Sequence, residues 1–177
     1  MKLTDVKMLL DDNGYTYKQT VIPSRAEFYR QKGFNPSIDT GAFFLLSIPN
    51  PNHEKDIQII FNDATENPDF YDLEFGGYWY ELFDCEEKHV AQELLTEIQR
   101  IVSGSTYVIF ACIIKKGIHW KWDGVYYDLP DDEMNSMDAF RKTVLKIKSP
   151  KSWWKKKKKK TDVYEVFNWT NYEKIVK

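Results

Sequence analysis

Hydrophobic and polar positions alternate with two different periods along this chain, and each period predicts its own elements. Over residues 1–10, Val6, Leu9 and Leu10 share one helical face, Thr4 is a candidate N-cap, and Asn13-Gly14 is a suitable stop. Tyr15, Tyr17 and Thr20-Val21 suggest a strand, and Pro23-Ser24 opens a short helix through Ala26 and Tyr29. Ala42–Ile48 and Asp56–Phe61 are apolar runs of strand length separated by the turn-forming Pro49-Asn50-Pro51-Asn52. In Asp69–Phe83, Gly76-Gly77 divides two aromatic-rich halves and predicts a two-residue hairpin turn. Phe70, Asp72 and Glu74 alternate there with Tyr71, Leu73 and Phe75, so one face is expected to be acidic and wet and the other apolar.

The period then lengthens. Asp84-Cys85-Glu86-Glu87 reads as a helix start with an Asp cap, and Val90, Leu94, Ile98 and Ile101 form an apolar stripe ending at Ser103-Gly104. Thr106–Ile114, Ile118–Trp122 and Val125–Asp128 read as strands, with Asp123-Gly124 as a hairpin turn between the last two. Met137, Phe140, Val144 and Ile147 mark a further amphipathic helix, Val163–Phe167 a strand, and Trp169–Ile175 a closing short helix or turn. The fold class that follows is α+β: a mainly antiparallel sheet built from hairpins with two to four helices packed against it, in a single domain over residues 1–177. A mobile Lys-rich loop is expected at about 149–161.

Composition fits that picture. The chain has 177 residues, and a chain of that size buries roughly 70% of its unfolded surface without needing a staple. Its 6 Trp, 11 Tyr and 11 Phe against 8 Gly and 7 Pro exclude disordered and collagen-like classes. No apolar stretch approaches the roughly 20 residues that span a bilayer, and acids occupy the N-terminal segment where a signal peptide needs an apolar run. Two cysteines, Cys85 and Cys112, then suggest reduced thiols in a cytoplasmic protein.

Charge changes the picture most. The formal net charge is −2, yet residues 1–140 hold 12 Lys+Arg against 24 Asp+Glu, and residues 141–177 hold 13 against 3. From Asp56 to Glu87 there is no Lys or Arg, while ten acids occur: Asp56, Asp63, Glu66, Asp69, Asp72, Glu74, Glu81, Asp84, Glu86 and Glu87. Aromatic residues interleave with them, which supplies anchors as well as electrostatic steering for a basic partner. The candidate partner-binding residues are Asp63, Glu66, Asp69, Asp72, Glu74, Tyr78, Trp79 and Glu81. A solvated sheet face that keeps the protein soluble is the simpler alternative.

Catalytic signals are weak. Cys85, Cys112, His53, His89 and His119 lack the ligand spacing of a zinc site, and there is no Gly-rich phosphate loop, G-x-S-x-G or H-E-x-x-H. Cys85 at a helix start would gain thiolate character from the dipole, but Glu81, Asp84, Glu86 and Glu87 oppose it. No catalytic residue, metal or cofactor is expected. Across a two-residue turn Asp72 would lie opposite Glu81, with Glu74 diagonal, a carboxylate arrangement that leaves a hydrolase using Asp72, Glu81 or His119 as one alternative. Trp153-Trp154 and Lys155–Lys160 raise a second, a nucleic-acid-associated protein, although Arg is scarce and the cations are not spread along one face. The lysine run could instead screen the acidic face of its own molecule.

With FGGYWYELF (Phe75–Phe83) followed by an amphipathic helix, and with VYEVFNWTNYEKI (Val163–Ile175), residues 70–177 resemble the immunity proteins of bacterial polymorphic toxin systems. The resemblance implies a non-catalytic protein that binds and neutralises a cognate toxin. Contact residues do not transfer between such families, so none is carried over. A nuclease toxin would present a basic cleft, which an acidic surface can cover by imitating phosphate charge.

Overall fold

A computed structural model of the chain describes residues 1–32, 41–115, 118–128 and 160–176. The chain divides into two compact units, Met1–Val102 and Ser103–Lys177. The order of elements is α1 (Leu3–Asp12), β1 (Lys18–Ile22), α2 (Arg25–Gln31), β2 (Phe43–Ile48), β3 (Ile57–Phe61), β4 (Phe70–Phe75), β5 (Tyr78–Asp84), α3 (Val90–Val102), β6 (Thr106–Lys115), β7 (Ile118–Asp128), β8 (Lys160–Phe167) and β9 (Tyr172–Val176). The fold is α+β, and every strand pairing is antiparallel. The strands are shared between two sheets, a division that no break in the hydrophobic pattern marks.

In the first unit the sheet runs β1-β2-β3-β4-β5, a meander in which each strand pairs with its neighbour in sequence. Ile57, Ile59 and Phe61 face Phe75, Leu73 and Tyr71 across the β3–β4 ladder, and all six are fully buried. This apolar face carries α3, whose stripe Val90, Leu94, Ile98 and Ile101 is buried. α1 packs against α3 and buries Leu3, Val6 and Leu10. Tyr71 anchors the layer, with its ring stacked on Phe83 at 5.2 Å and tilted against Phe61 at 5.6 Å. Its hydroxyl has no hydrogen-bond partner among the described residues, and burial drives its pKa far up.

The opposite face carries α2. Ser24 caps this helix as its sequence suggests, its hydroxyl accepting from Glu27 N–H at 3.1 Å. Phe28 meets Phe43 edge-on at 5.3 Å and joins Ile22, Leu45 and Ile60 in a second, smaller core. α1 begins one residue before the expected cap: Thr4 lies inside the helix, and Asp5 accepts from Lys2 N–H at 2.7 Å. Gly14, at φ 74°, follows its end.

In the second unit the order is β7-β6-β8-β9. Asp123 and Gly124 do not turn the chain. They pair with Ala111 and Phe110 inside an unbroken β7, so ladder pairing with a long β6 overrides the local turn preference. Residues 172–176 are likewise a strand rather than a helix or turn, because a tight turn at Asn168 folds them back onto β8. The expected helix at Met137–Ile147 and the Trp/Lys-rich segment through Lys159 lie outside the described residues, whereas Lys160–Asp162 extend β8 beyond the expected strand.

Candidate protein-docking surface

The acids of β4 do not all face water. Phe70, Asp72 and Glu74 are on the α2 side of the sheet, and α2 brings two cations to a stretch that has none of its own. Lys32 Nζ lies 2.7 Å from Glu74 Oε2 and 3.0 Å from Gln58 Oε1, and also sits 4.3 Å from the centre of the Phe28 ring. Tyr29 donates to Glu74 Oε1 at 3.4 Å, and burial with the neighbouring Glu74 and Asp72 carboxylates drives its phenol pKa well up. Arg25 lies 3.9 Å from Asp72 Oδ2, donates to Phe61 C=O and covers the Phe43 ring at 4.5 Å. Glu74 is only 3% exposed. The wet acidic face expected from alternation is therefore covered over Glu74 and partly over Asp72, and Glu74 is withdrawn from any docking surface.

Gly76 and Gly77 make the expected hairpin turn, with φ of 66° and 87° and Phe75 opposite Tyr78. The register then slips. Glu74 pairs with Trp79, but Leu73 pairs with Glu81, which leaves Tyr80 as the extra residue of a β-bulge. Asp72 consequently faces Leu82 rather than Glu81, and the two carboxylates lie on opposite sides of the sheet. The juxtaposition on which a hydrolase using them depends is absent. Glu81 instead faces α3. Its carboxyl pKa is raised, first by partial burial and then by Glu97, with a smaller rise from Glu93, while Arg100 pulls it down.

Beyond the bulge the surface opens. Leu82 is 53% and Phe70 41% exposed, although both are large and apolar. Asp69, Glu81, Asp84, Glu86 and Glu87 are exposed around them. Asp84 pairs with Phe70 in the β4–β5 ladder, and its carboxylate accepts from Glu86 N–H at 2.9 Å, so it closes a turn instead of capping a helix. α3 starts six residues later, at Val90. The local helix-start signal of Asp84–Glu87 hides Asp84, Glu86 and Glu87 as part of this surface, although the absence of Lys and Arg marks them, and no sequence signal marks Leu82. Cys85 is buried beside this turn. Burial raises its thiol pKa and Asp84, Asp69 and Asp63 add to the rise, while the N-terminal ammonium opposes it.

The remaining candidates disperse. Glu66 accepts from the backbone and side chain of Thr4 at the start of α1, and these hydrogen bonds lower its pKa. Asp63 is half-buried, its carboxylate accepting from Thr65 N–H and hydroxyl at 3.0 and 2.6 Å. Tyr78 and Trp79 belong to β5, but their side chains lie outside the described residues, as do those of Cys112 and His119. Among the described residues no group of three or more His, Cys, Asp or Glu could hold a metal ion, and no helix is long and apolar enough to cross a membrane. No protein-family model, curated protein or solved structure matches the chain significantly.

Proposed function

We propose that this chain is a non-catalytic, cytoplasmic binding protein that holds a basic protein partner on the β4–β5 end of its first sheet. The partner we propose is a cognate bacterial toxin, which the chain neutralises as an immunity protein. One observation carries the reading: exposed apolar residues, Phe70 and Leu82, share the β4–β5 end with the exposed acids Asp69, Asp84, Glu86 and Glu87, and with Glu81 on the α3 side of the same strand. Apolar anchors inside a charged rim suit protein recognition, since the rim steers encounter and the desolvated centre supplies affinity. A nuclease cleft is a fitting target, because its cations are arranged to receive phosphates.

The test is a joint reversal of Glu81, Asp84, Glu86 and Glu87 to Lys, assayed by protection of cells expressing a toxic protein from a neighbouring gene and by affinity for that protein. Protection is expected to be lost with the fold intact. Full protection and unchanged affinity at low salt would reject this surface.

A further inference from the structure

β5 is the last strand of its sheet, and among the described residues no strand pairs with its outer side. The ladder determines which backbone groups face outward. Cys85 N–H donates to Asp69 C=O at 2.9 Å, so in an antiparallel pair the alternate residues Phe83 and Glu81 also turn their N–H and C=O toward β4. Phe70, opposite Asp84, gives its C=O to Asn62 N–H at 3.1 Å on the β3 side, which requires the same phase. Leu82 N–H, Leu82 C=O and Asp84 N–H therefore point away from the sheet. Asp84 C=O is taken by Glu87 N–H at 3.3 Å.

Sheet edges are commonly blunted by charged side chains, Pro or bulges, since an open edge pairs with any available strand. The sequence of β5, YWYELFD, contains neither Lys nor Pro. Its devices are the bulge at Tyr80, which lies before Glu81–Asp84 and leaves that stretch regular, and the acids Glu81 and Asp84, which repel another acidic strand but not a basic one. The two sides of the stretch differ. Toward α3 stands Glu81 with Glu97, Arg100 and Glu93 near it, Arg100 being paired with Glu97 at 3.1 Å, so that this side keeps a net negative charge; toward the other face stand the exposed Leu82 and Phe70, followed by Asp84.

We infer that Glu81–Asp84 is a docking edge at which an extended, basic segment of a partner protein adds a further strand, with Lys or Arg facing Glu81 and apolar side chains facing Leu82. The backbone groups of Leu82 and Asp84 supply the ladder, and the alternation of acid and leucine along β5 selects the complementary alternation in the partner. This inference rests on the acidic-surface reading above and specifies its geometry.

Residue-resolved amide hydrogen exchange of the full chain tests it, using as probes a short blocked peptide of alternating Lys and Val and an analogue N-methylated at every Val, the residues set opposite Leu82 and Asp84. Leu82 and Asp84 amides are expected to exchange freely in the chain alone and to slow by roughly tenfold or more with the Lys-Val peptide. The methylated analogue keeps charge, side chains and carbonyl acceptors, but its N-methyl groups replace the donor to Leu82 C=O and hold that edge away from β5, so it is expected to protect neither amide. Two results would overturn the inference: protection of both amides without peptide, which means that this chain covers its own edge, or equal, salt-sensitive binding of both peptides with neither amide protected. The second result leaves the acidic surface standing. Absence of any salt-sensitive binding to either peptide removes both.

Discussion

At the scale of single residues, the informative contrast is between Glu74 and Glu81, two glutamates of one acidic stretch with opposite fates. Glu74 is buried against Lys32 and Tyr29, so its charge is compensated inside the protein. Breaking a buried pair from one side strands the other charge. Lys32→Met is therefore expected to lower stability by about 3 kcal/mol, read as a shift in the urea midpoint, and Lys32→Met with Glu74→Leu to regain most of the loss. Glu81 is partly buried beside Glu97 and Glu93, which Arg100 only partly offsets. Because its folded-state pKa is raised above the ordinary 4.5, the folded chain holds the extra proton just above that pH. Stability consequently falls as pH rises through this window, and the cost is fully present at neutral pH. Glu81→Gln should raise the melting temperature at pH 7 by the equivalent of no more than about 0.5 kcal/mol, given solvent screening, with no gain below about pH 4. Sequence spacing identified both acids but could not tell them apart, because Lys32 lies 42 positions from Glu74 and nothing local links them.

At the scale of elements, the runs Phe43–Ile48 and Ile57–Phe61, the Gly76-Gly77 turn and the α3 stripe were legible, since each carries a period or a turn signal of its own. The bulge at Tyr80 was not, because one more aromatic in Tyr78-Trp79-Tyr80 leaves no mark in an aromatic run. Asp123-Gly124 and Asp84 misled for a shared reason: each has a strong local preference that a long-range ladder outweighs. Gly77, at φ 87° with open space where a side chain would stand, isolates backbone cost from packing. Gly77→Ala is expected to destabilise by about 1–2 kcal/mol and Gly77→Asn by less, measured by denaturant unfolding. The β8–β9 turn depends on Asn168, whose side chain accepts from Thr170 N–H and hydroxyl and from Asn171 N–H, and donates to Gly104 C=O at 3.2 Å. Asn168→Asp keeps the acceptor but sets an oxygen against that carbonyl. A loss of about 2 kcal/mol is expected in the same assay.

At the scale of the whole molecule, the charge asymmetry along the sequence is only partly expressed as surface. Arg25 and Lys32 neutralise the middle of the acidic stretch, and what stays exposed is concentrated at the β5 end. If that end steers a cationic partner, reversing Glu81, Asp84, Glu86 and Glu87 to Lys should slow association more than roughly tenfold at low ionic strength and flatten its salt dependence in stopped-flow measurements. Tyr80 has a consequence of another kind. If Tyr80 took a regular place in the ladder opposite Leu73, Glu81 would fall opposite Asp72 on the α2 side and Leu82 would turn toward α3, so every position up to Asp84 would change sides; deleting Tyr80 instead leaves Glu81 opposite Leu73 and Leu82 opposite Asp72. The identity of the presented surface is thus set by whether one residue is looped out of the ladder or counted in it. Loss of the Tyr80 codon would therefore keep the partner-facing pattern in a descendant of this protein, whereas any change that drew Tyr80 back into the ladder would give a different pattern on the same scaffold.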